Sequence, residues 1–250
     1  MYKKEFKTHF VGQTRLELTS CPSTNDFMKE LLQHGLMSNG QLVTTSDQTD
    51  GRGQLSNSWE SQSSKNLTFS VGFLDLDFPI ENQFQLNIIA ALAVAKTINE
   101  NFNLNAVVKW PNDVLVKGKK IAGILIETSI SKGLIYSAVV GIGLNVNQQD
   151  FISPGATSIS KELKEVIELD LVLNRACENL EHFIFRKEDL EGLRALYCQN
   201  LYQMGVSSFY EDHCGRFEGI IDGVSELGEL RVMRDGILQY YEPKQIKFLR

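Results

Sequence analysis

A proline stands between two runs that would otherwise be buried sheet. In the stretch KWPNDVLVKGKKIAGILIE, residues 109–127, Trp110, Pro111, Asn112 and Asp113 separate Ala106, Val107 and Val108 from Ile121, Ala122, Ile124, Leu125 and Ile126. Proline cannot donate to a sheet ladder, so the chain must turn at Asn112-Asp113. The turn then projects an amide and a carboxylate at strand ends, where α/β folds put their sites. Residues 116–120 read as a hairpin tip with Gly118 in the turn. Lys120 opens the next strand, so its ammonium can point back towards that turn. Gly123, inside an otherwise β-branched strand, marks a place where something approaches the backbone closely. The plain alternative is a routine hairpin with solubilising lysines.

Around this stretch the pattern alternates between strand and helix. Residues 14–18 alternate polar and apolar as a half-buried strand does. Ser23-Thr24-Asn25 then opens a helix that Gly35 closes. Residues 41–45 and 67–74 read as strands, and residues 83–102 as a long buried helix with Phe84, Ile88, Ala91, Leu92, Ala95 and Ile98 at helical spacing. Strands are expected at 106–110, 113–116, 120–127 and 134–147, and helices from 160 to about 201. From 206 onward short β-rich pieces at 217–221, 229–233, 237–241 and 245–249 alternate with turns, the pattern of a small barrel. The expected division is residues 1–201 and 202–250.

Composition removes several functional classes. At a formal net charge of -6, with no dense Lys/Arg block, DNA or RNA binding is disfavoured. The longest apolar run, residues 88–95, is too short to span a bilayer, so no membrane role is expected. Cys21, Cys177, Cys198 and Cys214 form no C-x-x-C pair and read as reduced, mostly buried thiols of a cytoplasmic protein. His213 adjoins Cys214, but the histidines do not cluster as metal ligands.

Three further segments could carry chemistry. Residues 46–66 form a long polar connection whose only large apolar residues are Leu55 and Trp59. Gly51 and Gly53 flank Arg52 there, so the backbone can close around a ligand and present one guanidinium, suited to a carboxylate or phosphate. A mobile surface loop is the plain alternative, although Trp59 needs something to cover, and a planar ring would suit it. Gly141-Ile142-Gly143-Leu144-Asn145 begins like a dinucleotide fingerprint but lacks its last glycine, and no helix follows. It still permits close ligand approach, with Asn145 offering a donor and an acceptor. Ser23-Thr24-Asn25 serves as a helix cap, and its hydroxyls can also bind a small polar ligand.

Together these segments resemble the biotin protein ligases. The resemblance runs in family order through S-T-N (Ser23 to Asn25), Q-x-x-G-R-G-x-x-x-x-x-W (Gln48 to Trp59), K-W-P-N-D (Lys109 to Asp113), K-[IL]-A-G-I-L-x-E (Lys120 to Glu127) and G-x-G-x-N-V (Gly141 to Val146). It implies an α/β (α+β) fold with a mixed, largely antiparallel sheet flanked by helices, like class II synthetases, and a C-terminal SH3-like barrel. It implies ATP and Mg²⁺ as cofactors, biotin as substrate, biotinyl-5'-AMP as intermediate, and a biotin carboxyl carrier domain as partner, with a homodimer left open. By resemblance, Lys120, Arg52, Asn112 and Asp113 serve catalysis, Asp113 also through Mg²⁺. Ser23, Thr24, Asn25, Gln48, Gly51, Arg52, Gly53, Gln54, Lys120 and Gly123 bind biotin. Arg52, Trp59, Lys109, Asn112 and Asn145 hold the nucleotide, with Trp59 stacked on adenine.

Two departures from the family pattern matter. Many relatives carry several arginines in the glycine loop, whereas Gln54-Leu55-Ser56-Asn57 follows Gly53 here. The repressor form of the family carries a DNA-binding domain ahead of S-T-N, and 22 residues stand there in this chain, so a ligase without DNA binding is expected. The rival readings are a lipoate or octanoate carrier-protein ligase or transferase of the same fold, and a biotin sensor that makes no adenylate.

Overall fold

The computed structural model describes residues 7–54 and 57–249, so Leu55 and Ser56 of the glycine loop lie outside the described residues. Connection length decides much of the topology. β1 (Arg15–Cys21) and β2 (Gln41–Gln48) are joined by the helix α1 (Thr24–Gln33), and they pair in parallel, as strands joined by a crossover can. Then follow β3 (Leu67–Pro79), the helix α2 (Phe84–Phe102), β4 (Val107–Lys109), β5 (Asp113–Val116), β6 (Lys119–Ser131) and β7 (Leu134–Leu144). Only a few residues separate the last four strands, which leaves hairpins as their connections, and they pair antiparallel. The seven strands lie in the order β1-β2-β3-β7-β6-β5-β4, a mixed and largely antiparallel sheet as the sequence leads one to expect.

α1 starts where Ser23 Oγ accepts the Asp26 N–H at 3.3 Å, and Gly35 at φ +66° takes the chain out of it. α2 is apolar nearly all round because it is covered on two sides. It packs on one face of the sheet against β4, β5 and β6, and on its other side against α4 (Leu169–Ile184) and α5 (Leu190–Gln199), which follow the short α3 (Ile159–Leu163). The sheet's large residues, among them Phe69, Val71, Phe73, Ile124, Val140 and Ile142, join that core. α1 covers part of the opposite face, where Met28 and Met37 pack with Val43 and Val139.

The tail builds a second antiparallel sheet from β8 (Ser207–Asp212), β9 (Gly215–Val224), β10 (Leu230–Arg234), β11 (Ile237–Tyr241) and β12 (Lys247–Phe248), ordered β11-β10-β9-β8-β12. Its buried Tyr210, Phe217, Val232 and Tyr241 continue the main core. Trp110 ties the two sheets together: it is buried, and its Nε1 donates to Gly228 O at 2.8 Å.

The differences from the sequence reading are local. β3 runs on to Pro79, past the expected end at 74. The helical region after 160 breaks where Lys164 takes a left-handed φ of +61°. β8 was not anticipated as a separate strand, since SSFYED lacks clean alternation. Among the described residues no helix is long and apolar enough to cross a membrane.

Candidate active site

Sheet register makes the floor of the site. Thr45, Thr68, Gly143 and Gly123 lie side by side across β2, β3, β7 and β6, and Val43, Ser70, Gly141 and Leu125 form the next row. Side chains alternate between faces along a strand, so as the large neighbours enter the α2 core these small residues face the other way. The glycines are required by what lies above them. A Cβ on Gly141 would overlap the Asn25 amide, and one on Gly143 would overlap the Trp59 indole. One on Gly123 would sit 3.0 Å from Trp59 Cζ3 and 3.3 Å from Lys120 Nζ.

The start of α1 supplies one wall. Thr24 donates its N–H to Gln48 Oε1 at 3.0 Å, which orients the Gln48 amide. Ser70 Oγ lies 2.8 Å from Thr24 Oγ1 and 2.7 Å from Asn25 Oδ1. Asn25 Nδ2 donates to Glu127 Oε2 at 2.9 Å and to Leu125 O at 3.2 Å. Ser23, Thr24 and Asn25 are all buried, so these polar groups depend on one another for partners.

The glycine loop supplies the roof. Gly53 N–H donates to Asn57 O at 2.6 Å and Trp59 N–H to Gly51 O at 2.8 Å, which folds the loop back over the floor. A Cβ on Gly51 would stand 2.7 Å from Trp59 O, so the tight return needs glycine there. Trp59 Nε1 is buried and has no hydrogen-bond partner among the described residues.

Two charged groups flank the floor. At the α1 end Arg52 Nη2 lies 2.5 Å from Asp26 Oδ1 and 3.3 Å from Glu127 Oε2, while Lys29 Nζ lies 2.7 Å from Glu127 Oε1. Burial alone would raise the Glu127 pKa, but hydrogen bonds from Lys29 and Asn25 and the charges of Lys29 and Arg52 hold it below the usual glutamate value. Lys29 mirrors this: burial would lower it, and its bonds to Asp26 and Glu127 raise it. At the other end Lys120 Nζ lies 2.6 Å from Asp113 Oδ1 and 5.5 Å from the Trp59 ring centroid. Asn112 clamps the proline turn onto β6: its Nδ2 donates to Ile124 O at 2.7 Å, and Ile124 N–H donates to its O at 3.0 Å.

The cleft so enclosed measures about 230 Å³. That is below the roughly 300–1,000 Å³ of pockets that hold drug-sized ligands, and the Trp59 indole lies over the floor at Gly143. Of the residues singled out in the sequence, Ser23, Thr24, Asn25, Gln48, Arg52, Gly53, Gln54, Trp59, Asn112, Asp113, Lys120 and Gly123 line it. Gly51, Lys109 and Asn145 stand off its wall. Lys109 Nζ lies 5.0 Å over the Phe248 ring of the second sheet. Asn145 is buried with its Nδ2 donating to Thr157 O at 3.0 Å, and its Oδ1 has no partner among the described residues.

Sequence reasoning missed Asp26, Lys29 and Ser70. It quoted Glu127 within a motif without giving it a role, and read Gly141 and Gly143 as permitting close approach of a ligand. It also missed Pro243 and Lys244, which reach the cleft from the second sheet. Strand alternation from Gly143 and Thr68 could have located the floor, whereas nothing local marks Lys244. A separate cluster, Asp212, His213 and Cys214, lies at the β8–β9 turn. Asp212 accepts from Cys214 N–H, Arg234 and Tyr241, so both its oxygens are already engaged.

Comparison with known proteins points the same way. The family described as biotin/lipoate A/B protein ligase matches residues 17–145. The bifunctional ligase/repressor BirA of Bacillus subtilis is 30% identical over 243 residues, 94% of this chain and 74% of that protein. The biotin–[acetyl-CoA-carboxylase] ligase of Mycobacterium tuberculosis is 33% identical over 141 residues, 55% of this chain and 51% of that protein. The structure of the biotin protein ligase from Aquifex aeolicus in complex with biotin and ATP aligns with a TM-score of 0.80 at 26% identity, over 95% of this chain and 99% of that one.

Proposed function

The chain belongs to the biotin/lipoate A/B protein ligase family, and from that premise we propose that it activates biotin with ATP and passes the acyl group to a lysine of a biotin carboxyl carrier domain. One observation carries the reading: a floor stripped of side chains at Gly123, Gly141 and Gly143 lies between a polar helix start and a lysine–aspartate pair, under a tryptophan. A flat ligand fits on such a floor, polar at one end and anionic at the other.

In the first step a biotin carboxylate oxygen attacks the α-phosphorus of ATP, and the bond to pyrophosphate breaks. Negative charge builds on the α-phosphate, and fixed cations stabilise it best in a site that excludes water. Lys120 and Arg52 supply those cations. Lys120 is held beside the floor by Asp113 before the substrates arrive, whereas Arg52, paired with Asp26 at the α1 end, would swing onto the phosphate as the loop closes. Asp113 offers one carboxylate oxygen, which fits Mg²⁺ bound mostly through phosphates and water. In the second step the neutral lysine amine of the carrier attacks the acyl carbon, AMP leaves, and the nitrogen loses a proton.

The α1 wall would read the ureido ring. Its N–H groups need acceptors and its carbonyl needs donors, and Ser23, Thr24, Asn25 and Gln48 offer both. Trp59 would lift from Gly143 and stack on adenine, closing the loop over a labile anhydride. A net charge of -6 opposes a DNA-binding role, because DNA affinity depends on neutralising phosphates. Anisotropy titration at physiological salt checks that: sequence-dependent binding below about 1 μM, tighter than ordinary non-specific affinity, would contradict it.

The direct test incubates the protein with ATP, a carrier domain and either biotin, lipoate or octanoate. A biotin-sized mass addition on one carrier lysine supports the reading. Transfer of lipoate or octanoate instead would favour the rival of the same fold. Biotin binding without biotin-dependent ATP–pyrophosphate exchange would identify a sensor.

A further inference from the structure

Glu127 does not line the cleft, yet it touches two residues that do. It shares a face of β6 with Gly123 and Leu125, two strand positions on from the floor rows. Its Oε2 accepts from Asn25 and its Oε1 from Lys29. An ionised carboxylate only accepts, so the nitrogen end of the Asn25 amide must face Glu127. The oxygen end is thereby turned towards Ser70 and the floor at Gly141. An asparagine amide is otherwise nearly symmetric in shape, and contacts alone decide which end is which. Leu125 O accepts from the same nitrogen and enforces the same sense.

We infer that Glu127 is a positioning residue of the ligase, one that fixes the Asn25 amide with its acceptor towards the cleft and so sets recognition of an N–H donor on the acyl substrate. This rests on the biotin-ligase reading, since the donor concerned is a ureido N–H. Lys29 holds the Glu127 carboxylate in register from the other oxygen. Arg52 keeps its closer partner, Asp26, whether or not Glu127 carries a charge. The effect should therefore fall on biotin rather than on ATP.

Glu127→Gln is the sharpest variant, because it keeps the shape while replacing one acceptor with a donor. The Asn25 amide then keeps Leu125 O as its one obligate acceptor, because a Gln amide can turn either end towards it, and its orientation is held less firmly. Biotin-dependent ATP–pyrophosphate exchange is measured for the wild type, Glu127→Gln, Asn25→Ala and the double variant, with a thermal melt for each. The expected result is a KM for biotin raised up to about tenfold, the loss of one neutral hydrogen bond to the substrate, with the KM for ATP within about a factor of two. In the Asn25→Ala background Glu127→Gln should add almost nothing, since coupled residues are not additive. A KM for biotin unchanged by Glu127→Gln, or two effects that simply multiply, would overturn the inference. If Glu127→Gln melts far below the wild type, Glu127→Asp, which keeps the charge and shortens the reach, supplies the same comparison. A wild type with no exchange under any acyl substrate would instead overturn the ligase reading.

Discussion

Trp59 lies across Gly143, its indole so close to the strand that a Cβ on that glycine would overlap Cε2. The two residues are far apart in sequence and meet because the loop folds back over the floor. Gly143→Ala should therefore lift the indole without touching the α2 core on the other face. The added methyl would also stand on the floor that the lifted indole leaves to the ligand, so we expect a KM for ATP raised by about tenfold, equivalent to roughly 1.4 kcal/mol, and a shifted Trp fluorescence spectrum. Steady-state kinetics with varied ATP gives the number, and an unchanged KM would mean that the floor at Gly143 does not hold the nucleotide.

Lys120→Ala should leave the fold intact. The Lys120 main chain donates to Gly155 O at 2.7 Å and accepts from Thr157 N–H at 2.9 Å, and both bonds survive loss of the side chain. Its ammonium is the cation paired with Asp113 beneath Trp59. Removing one such contact costs about 3 kcal/mol in a transition state, or roughly a hundredfold in rate. Circular dichroism should match the wild type while pyrophosphate exchange falls by that amount. Exchange within a few-fold of normal would rule out the role.

The features legible in the sequence were those whose chemistry is local. Pro111 forces the turn that carries Asn112 and Asp113, and the Ser23 cap starts the helix that carries Thr24 and Asn25. Helical spacing revealed α2 because its apolar residues are continuous in the chain. What depended on register was hidden. Asn25 and Glu127 are separated by 102 positions, and only the pairing of β3, β7 and β6 brings them together. Asn145 reads as a ligand group from its type, and its amide nitrogen donates to Thr157 O, a partner no spacing rule would name. Lys109 sits in the most specific motif, but its ammonium is drawn over Phe248 in the second sheet.

Glu162 gives a pH-dependent prediction. It accepts from Thr157 Oγ1 at 2.7 Å and pairs with Lys117 at 2.8 Å. Burial alone would raise its pKa, and the bonds from Lys117 and Thr157 with the charges of Lys117 and Lys119 bring it below the ordinary 4.5. A carboxyl with a depressed folded-state pKa stabilises fully above its unfolded value and loses that stabilisation as pH falls through the folded one. Glu162→Gln should thus cost about 1 kcal/mol or less near pH 7, since a Gln Oε1 can still accept from Thr157 and only the charge on that bond and on the screened Lys117 pair is lost. Urea titrations of both proteins should converge as the pH is lowered from 4.5. A gap that stays constant with pH would show that the charge plays no part.

Ligand binding should protect the loop at Arg52. Without substrate the guanidinium is held by Asp26 and Glu127 and remains partly exposed, so trypsin has access to the Arg52–Gly53 bond. Substrate would draw the Arg52 guanidinium onto the adenylate, and Trp59 would close over adenine. Proteases cut bonds that open, so protection follows the free energy that binding adds to the closed form. At ligand concentrations about 100 times Kd that is roughly 2.7 kcal/mol, or about a hundredfold slower cleavage when opening is fast. Biotin with ATP should protect strongly, and biotin alone less, because Trp59 then lacks its ring. Asp26→Asn, which removes the closest partner of Arg52, should speed cleavage of the free protein while leaving the liganded rate almost unchanged. Cleavage at one rate with and without ligands would mean that the loop does not close over the site.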